Sequence, residues 1–135
     1  MDLDKALGIA ASGMTAQTTR LRVIAENLAN QDTTGSKAGA DAYRRKTVTF
    51  TDTMDRQLGV PTVQVKKIGH DDSELQQRYD PSNPAANAEG YVKLPNVNSL
   101  VEVMDMHEAE RSYNANLAVM QSARGMLTRT IELLK

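Results

Sequence analysis

The chain has no cysteine and no tryptophan, and its 135 residues include only one Phe, four Tyr and four Pro. Without cysteine there is no disulfide framework, thiol nucleophile or cysteine-ligated zinc or iron–sulfur site. The redox compartment is left open. Each buried aromatic removes about 150–250 Å² from water, so scarce aromatics leave little bulk for a compact core. Sixteen basic residues face seventeen acidic ones, a net charge of −1, so no overall field steers nucleic acid or anionic lipid. No apolar run approaches the roughly 20 residues of a membrane span. The first residues, Met-Asp-Leu-Asp-Lys, are acidic, so no cleaved signal peptide is expected. The length suits a single domain.

The pattern divides the chain into a helical segment 1–31, an irregular segment 32–97 and a helical segment 98–135. Leu3, Leu7, Ala10, Met14, Gln17, Leu21, Ile24 and Leu28 recur in alternating steps of four and three. That spacing predicts a helix lying along another helix. The second helix is expected to start near Asn98 or Ser99, where Ser99-Leu-Val-Glu102 fits a capping box. Its seam reads Val103, Met106, Glu110, Tyr113, Leu117, Met120, Arg124, Leu127, Ile131 and Leu134. The fold class is therefore mainly α: long terminal helices packed as a coiled-coil-like pair, with short β-strands in the middle. Those strands are expected at 44–51 and 62–68, where β-branched residues partly alternate. The stretch from Tyr79 to Pro95 reads as an extended loop. Gly90 is the position there most suited to positive φ, because the prolines hold φ near −65°.

Each helix carries a second apolar column, Ile9, Ala16 and Val23 on the first and Val119, Met126 and Leu133 on the last. A two-helix hairpin buries one stripe of each helix, so these columns are expected to face neighbouring chains.

Residue types able to carry chemistry are present but scattered. His70-Asp71-Asp72 offers hard-metal ligands without a further cluster, and His107 stands alone on the acidic third of the last helix. No Gly-x-Ser-x-Gly elbow occurs, and Gly35 and Gly39 lack the flanks of a phosphate loop. Arg44-Arg45-Lys46 reads as a strand face, since only Tyr43 is near enough to stack on a base. The expectation is a protein that is not an enzyme and holds no cofactor or metal.

The first helix ends in Ala25-Glu-Asn-Leu-Ala-Asn30, followed by Thr33-Thr-Gly35 and Tyr43-Arg-Arg-Lys46. Tyr79-Asp-Pro-Ser-Asn-Pro-Ala-Ala-Asn-Ala-Glu-Gly-Tyr-Val92, Leu94-Pro-Asn-Val-Asn98 and Arg111-Ser-Tyr-Asn-Ala-Asn116 come after. In that order they resemble the axial proteins of the bacterial flagellar rod and hook, over nearly the whole chain. The resemblance implies a non-catalytic subunit that assembles helically with further copies and related rod proteins into the periplasmic shaft of the basal body. That shaft carries motor torque to hook and filament. It also implies export through the flagellar type III apparatus without a cleaved signal, and no nucleic-acid, small-molecule or membrane-spanning partner. The terminal helices would form the inner layer and the middle an outer one.

Carried over residue by residue, Asn27, Leu28, Ala29, Asn30, Thr34 and Gly35 would close the first helix and turn the chain. Tyr79, Pro81, Pro84, Gly90, Tyr91 and Pro95 would fix the loop's path, and Tyr113 and Asn116 would lie in the helical interface. Two alternatives stay open. A distal rod or hook subunit would be longer, and a helical adaptor or chaperone would explain the heptads but not the Tyr-Asp-Pro block.

Overall fold

The structure is a computed structural model in which residues 2–134 are described. Helix α1 spans Leu3–Ala29, an alanine-rich stretch without proline. Asp2 opens it, its carboxylate accepting the Asp4 N–H at 3.2 Å. Helix α2 spans Ser99–Leu133. Asn98 caps it, with Oδ1 accepting from the Leu100 and Val101 N–H groups at 3.1 and 3.4 Å. The expected capping box does not form. Glu102 turns away from the helix end and is fully buried.

Between the helices, β1 (Lys46–Asp55) and β2 (Val60–His70) form a two-stranded hairpin, longer than the expected strands. Asp55 makes the turn by accepting the Gln57 and Leu58 N–H groups at 2.9 and 3.1 Å, and Gly59 completes it at φ +67°. The stretch expected to be an extended loop contains a strand. Strand β4 (Tyr91–Lys93) pairs antiparallel with β3 (Gln77–Tyr79), register Gln77↔Lys93, Arg78↔Val92 and Tyr79↔Tyr91. Three residues per strand are too few for alternation to show in sequence. Gly90 does adopt positive φ, +86°.

The chain folds as two compact units that cut across the three sequence segments. One comprises the chain up to Leu21, Val48–Lys67 and Met106 onward. Within it Ala10, Ala16, Ala109 and Ala123 are buried. The other comprises Arg22–Thr47 and Ile68–Asp105 and buries Val23, Ile24, Ala42, Ala85 and Val92. Both cores are built from small side chains, as the lack of aromatics requires.

Within the first unit the helices run antiparallel. In the first unit a Cβ at Gly13 would stand 2.8 Å from the Asn116 amide nitrogen, and Arg20 pairs with Glu108 at 3.3 Å. In the second, Asn27 meets Glu102 at 3.2 Å. The expected seam of α1 is buried or half-buried throughout. On α2 the seam is displaced by one residue at three positions, while Leu117 is half-buried as expected. Met106, Tyr113, Met120 and Leu127 are half-buried as expected, but their companions are Glu102, Ala109, Asn116 and Ala123. Val103, Glu110 and Arg124 are exposed instead.

Candidate functional site

A buried polar cluster grows from the end of α1. Asn27 is 1% exposed, and its side chain makes four hydrogen bonds. Its amide donates to the Lys46 carbonyl at 2.9 Å and to Glu102 Oε2 at 3.2 Å. Its Oδ1 accepts the Tyr43 hydroxyl at 2.9 Å and the Lys46 N–H at 2.8 Å. Lys46 begins β1, so one side chain holds both backbone groups of the strand's first residue.

Glu102 receives the Arg45 Nε–H on its other oxygen, and Arg45 reaches on to Asp105 at 3.2 Å. A buried carboxylate is tolerated only with such partners. Lys46 Nζ meets Glu26 at 2.7 Å, and Arg22 meets the same carboxylate at 3.0 Å. The Lys46 hydrogen bond holds the Glu26 pKa below its usual range, and the same bond raises that of Lys46. Burial raises the Tyr43 hydroxyl. Asn96 ties in the start of α2, accepting the Arg45 N–H at 2.7 Å and donating to the Asp71 carbonyl at 2.9 Å. Every group here is consumed in holding backbone or neutralising charge. The arrangement positions chain segments and presents no nucleophile to a substrate.

The other motif residues lie around this cluster or in the β3–β4 turn. Asn30 donates to the Glu26 carbonyl at 2.8 Å and closes α1, with Leu28 half-buried and Ala29 exposed. Thr34 is half-buried, and a Cβ at Gly35 would meet Ala40 at 2.8 Å. Gly90 is covered by Tyr79, whose ring stands 2.8 Å from where a Cβ would lie. Tyr79 and Tyr91 are exposed and meet edge to face, centroids 5.4 Å apart. Pro81 and Pro84 are exposed, and Pro95 is half-buried before the α2 cap.

The expected interface columns fare differently. On α2, Val119, Met126 and Leu133 are 51%, 51% and 87% exposed. On α1 only Ile9 is exposed. Ala16 and Val23 are each 2% exposed, so the chain's own packing closes them off. The reason is that α1 is covered on more than one side. In the first unit Leu58 of the hairpin turn lies against Gly8, the Val63 N–H donates to Ser12 at 3.3 Å, and α2 packs at Gly13. Val23 lies one turn before Asn27 in the second unit's core. Tyr113 and Asn116 are half-buried within the chain.

Beside the exposed column lies an open apolar groove of about 330 Å³, lined by Leu3, Ala6, Ala118, Val119, Ser122, Ala123 and Met126. No helix among the described residues is long and apolar enough to cross a membrane.

Sequence reasoning missed Arg45, Asn96 and Glu102 as members of the polar cluster. Glu102 fitted a cap, and the basic run fitted a strand face. The available signal was Asn27 itself, a turn-favouring amide placed before the end of a strongly periodic helix.

Two long terminal helices, a β-containing middle and a polar cluster that organises chain segments define a helical structural subunit. Comparison with known proteins makes this specific. Residues 7–37 match the family described as flagella basal body rod protein, and residues 88–133 match the flagellar basal body rod FlgEFG protein C-terminal family. The flagellar basal-body rod protein FlgC of Agrobacterium fabrum is 53% identical over 98% of this chain and 96% of its own. FlgC of Bacillus subtilis is 40% identical over 94% and 95%, and that of Salmonella typhimurium 39% over 93% and 92%. The chain belongs to the FlgC family of flagellar basal-body rod proteins, which are structural and not enzymatic.

Proposed function

We propose that this chain polymerises helically with further copies and related rod proteins into the periplasmic shaft that passes motor torque to hook and filament. The observation that carries this reading is the apolar end of α2. Val119, Met126, Ile131, Leu133 and Leu134 are all at least half exposed, next to the groove against Leu3 and Ala6. Contiguous exposed apolar surface of this kind marks an interaction site. Ile9 extends it on α1, whereas Ala16 and Val23, already enclosed, play no part. The helices would pair in coiled-coil fashion within the inner layer, with the hairpin in an outer one. Delivery would be through the flagellar type III export apparatus, without a cleaved signal.

Fractionation of cells expressing a tagged chain tests the reading. The chain is expected to co-purify with basal bodies, at a mass matching the uncleaved sequence. Recovery free of basal bodies would contradict it.

A further inference from the structure

The two helices differ in length, 27 residues against 35, or about 40 Å against 52 Å at 1.5 Å per residue. In the first unit Leu3, at the start of α1, lines the same groove as Met126. From 128 to 134 every residue is exposed, including Ile131 at 50% within α2 and Leu134 at 83% just after it. The last two turns therefore have no cover from α1.

The apolar pattern does not demand this. Glu102, Ala109, Asn116 and Ala123 are spaced by seven, as are Met106, Tyr113, Met120 and Leu127. Sliding α2 by one heptad would bring Ala109 to the place of Glu102, Ala123 to that of Asn116 and Leu134 to that of Leu127. Small or polar positions would receive small or polar residues, apolar positions apolar ones, and Leu134 would gain the half-buried place of Leu127. The heptad given up holds little apolar burial, for Leu100, Val101, Val103 and Met104 are exposed. Glu102 is the one buried residue in it. A slide the other way would carry Pro95 to the place of Glu102, and Pro95 lies before the helix begins.

We propose that the Asn27–Glu102 pair is a register pin: it holds α2 one heptad away from an alternative pairing with its own α1, and so keeps the last two turns of α2 uncovered. Slipping would take the carboxylate from both Asn27 and Arg45 and leave buried polar groups unmatched, the penalty by which a single polar pair selects one register. Asn27 cannot follow, because the Lys46 backbone holds it through two hydrogen bonds. That the uncovered turns serve neighbouring subunits rests on the assembly role proposed above. The register itself does not.

The absence of native cysteine makes the test clean. Gly13→Cys with Asn116→Cys reports the observed register, and Gly13→Cys with Ala123→Cys reports the slipped one. A seven-residue shift moves a side chain about 10 Å along the helix, beyond the 7 Å Cα reach of a disulfide. Both pairs are oxidised in the purified full-length chain, with the pin intact and with Glu102→Leu. The intact chain is expected to close the 13–116 pair about tenfold faster, and Glu102→Leu to close both at similar rates. Two results would overturn the proposal: equal closure with the pin intact, or an undiminished preference in a helical Glu102→Leu chain.

Should Glu102→Leu lose its helical circular dichroism, a reciprocal exchange decides. Asn27→Asp sets two carboxylates together and should lose the preference, and adding Glu102→Gln restores a donor and an acceptor. The double variant regains the preference if the pin sets the register, and failure to regain it refutes the pin. Crosslinking reads the free chain, so a failure of the assembly proposal would leave these results standing.

Discussion

Asn27 uses its whole hydrogen-bonding capacity, and Asn27→Ala strands the Lys46 N–H and carbonyl together with the Tyr43 hydroxyl. Each buried group left unpaired costs about 1–3 kcal/mol, so the substitution is expected to cost on the order of 3 kcal/mol in denaturant unfolding. Gly90 supplies a second residue-level test. At φ +86° any side chain is strained by about 1–3 kcal/mol, and here the Cβ would also strike the Tyr79 ring. Gly90→Val should lower the thermal midpoint most and Gly90→Ala less. Ser82→Ala, which removes one exposed hydrogen bond to Asp80, should stay within about 0.5 kcal/mol. Equal tolerance of all three would mean the turn is slack. The conformation of Gly90 was legible in sequence because neighbouring prolines could not make the reversal. The partners of Asn27 were not, since they arrive from positions 43, 46 and 102, and no local pattern encodes such meetings.

Among the elements, α1 was readable in full and α2 only in part, for a physical reason. Sequence periodicity gives weight to regular spacing, so it set the seam on Val103, Glu110 and Arg124, each one residue past the buried Glu102, Ala109 and Ala123. Close helix approach buries the small residue instead, and buries Glu102 because Asn27 and Arg45 receive it. The same weighting hid β3 and β4, which are held by backbone pairing and not by an apolar face. Gln17, the one polar member of the α1 seam, has its carbonyl oxygen buried with no partner among the described residues. Gln17→Met is therefore expected to raise stability by about 1 kcal/mol, read from the denaturant midpoint.

The tie between α1 and the start of β1 adds a pH dependence. Glu26 is held below its ordinary value of 4.5, so its contribution is present above that value and fades as pH falls through the lowered one. Lys46 is raised above 10.5, so its contribution is full below that value and fades as pH rises through the raised one. The thermal midpoint of Lys46→Met should thus trail the parent at neutral pH and approach it as pH falls through the lowered Glu26 value. Asp41, lowered chiefly by its Lys93 hydrogen bond, and Asp71, lowered chiefly by the Ser73 N–H, shape the same acid limb in both proteins and cancel in the comparison.

For the whole molecule, the chain buries small residues and one polar cluster while leaving Val119, Met126, Ile131, Leu133 and Leu134 exposed toward the end of α2. Sequence patterning named Val119, Met126 and Leu133 on α2 as a column facing neighbours, and all three are exposed. On α1 it named Ile9, Ala16 and Val23, of which Ile9 is exposed and the other two are enclosed by the chain itself. If this open face is where the subunit joins the rod, Met126→Glu should prevent the joining. Met126 is 51% exposed, so a glutamate there is solvated in the free chain and the fold should be kept. In a desolvated subunit interface the same charge costs several kcal/mol. In cells whose only copy carries Met126→Glu, the account predicts normal amounts of chain, basal bodies lacking it and no swimming. Basal bodies containing the variant at the normal level, in cells that swim normally, would contradict the account.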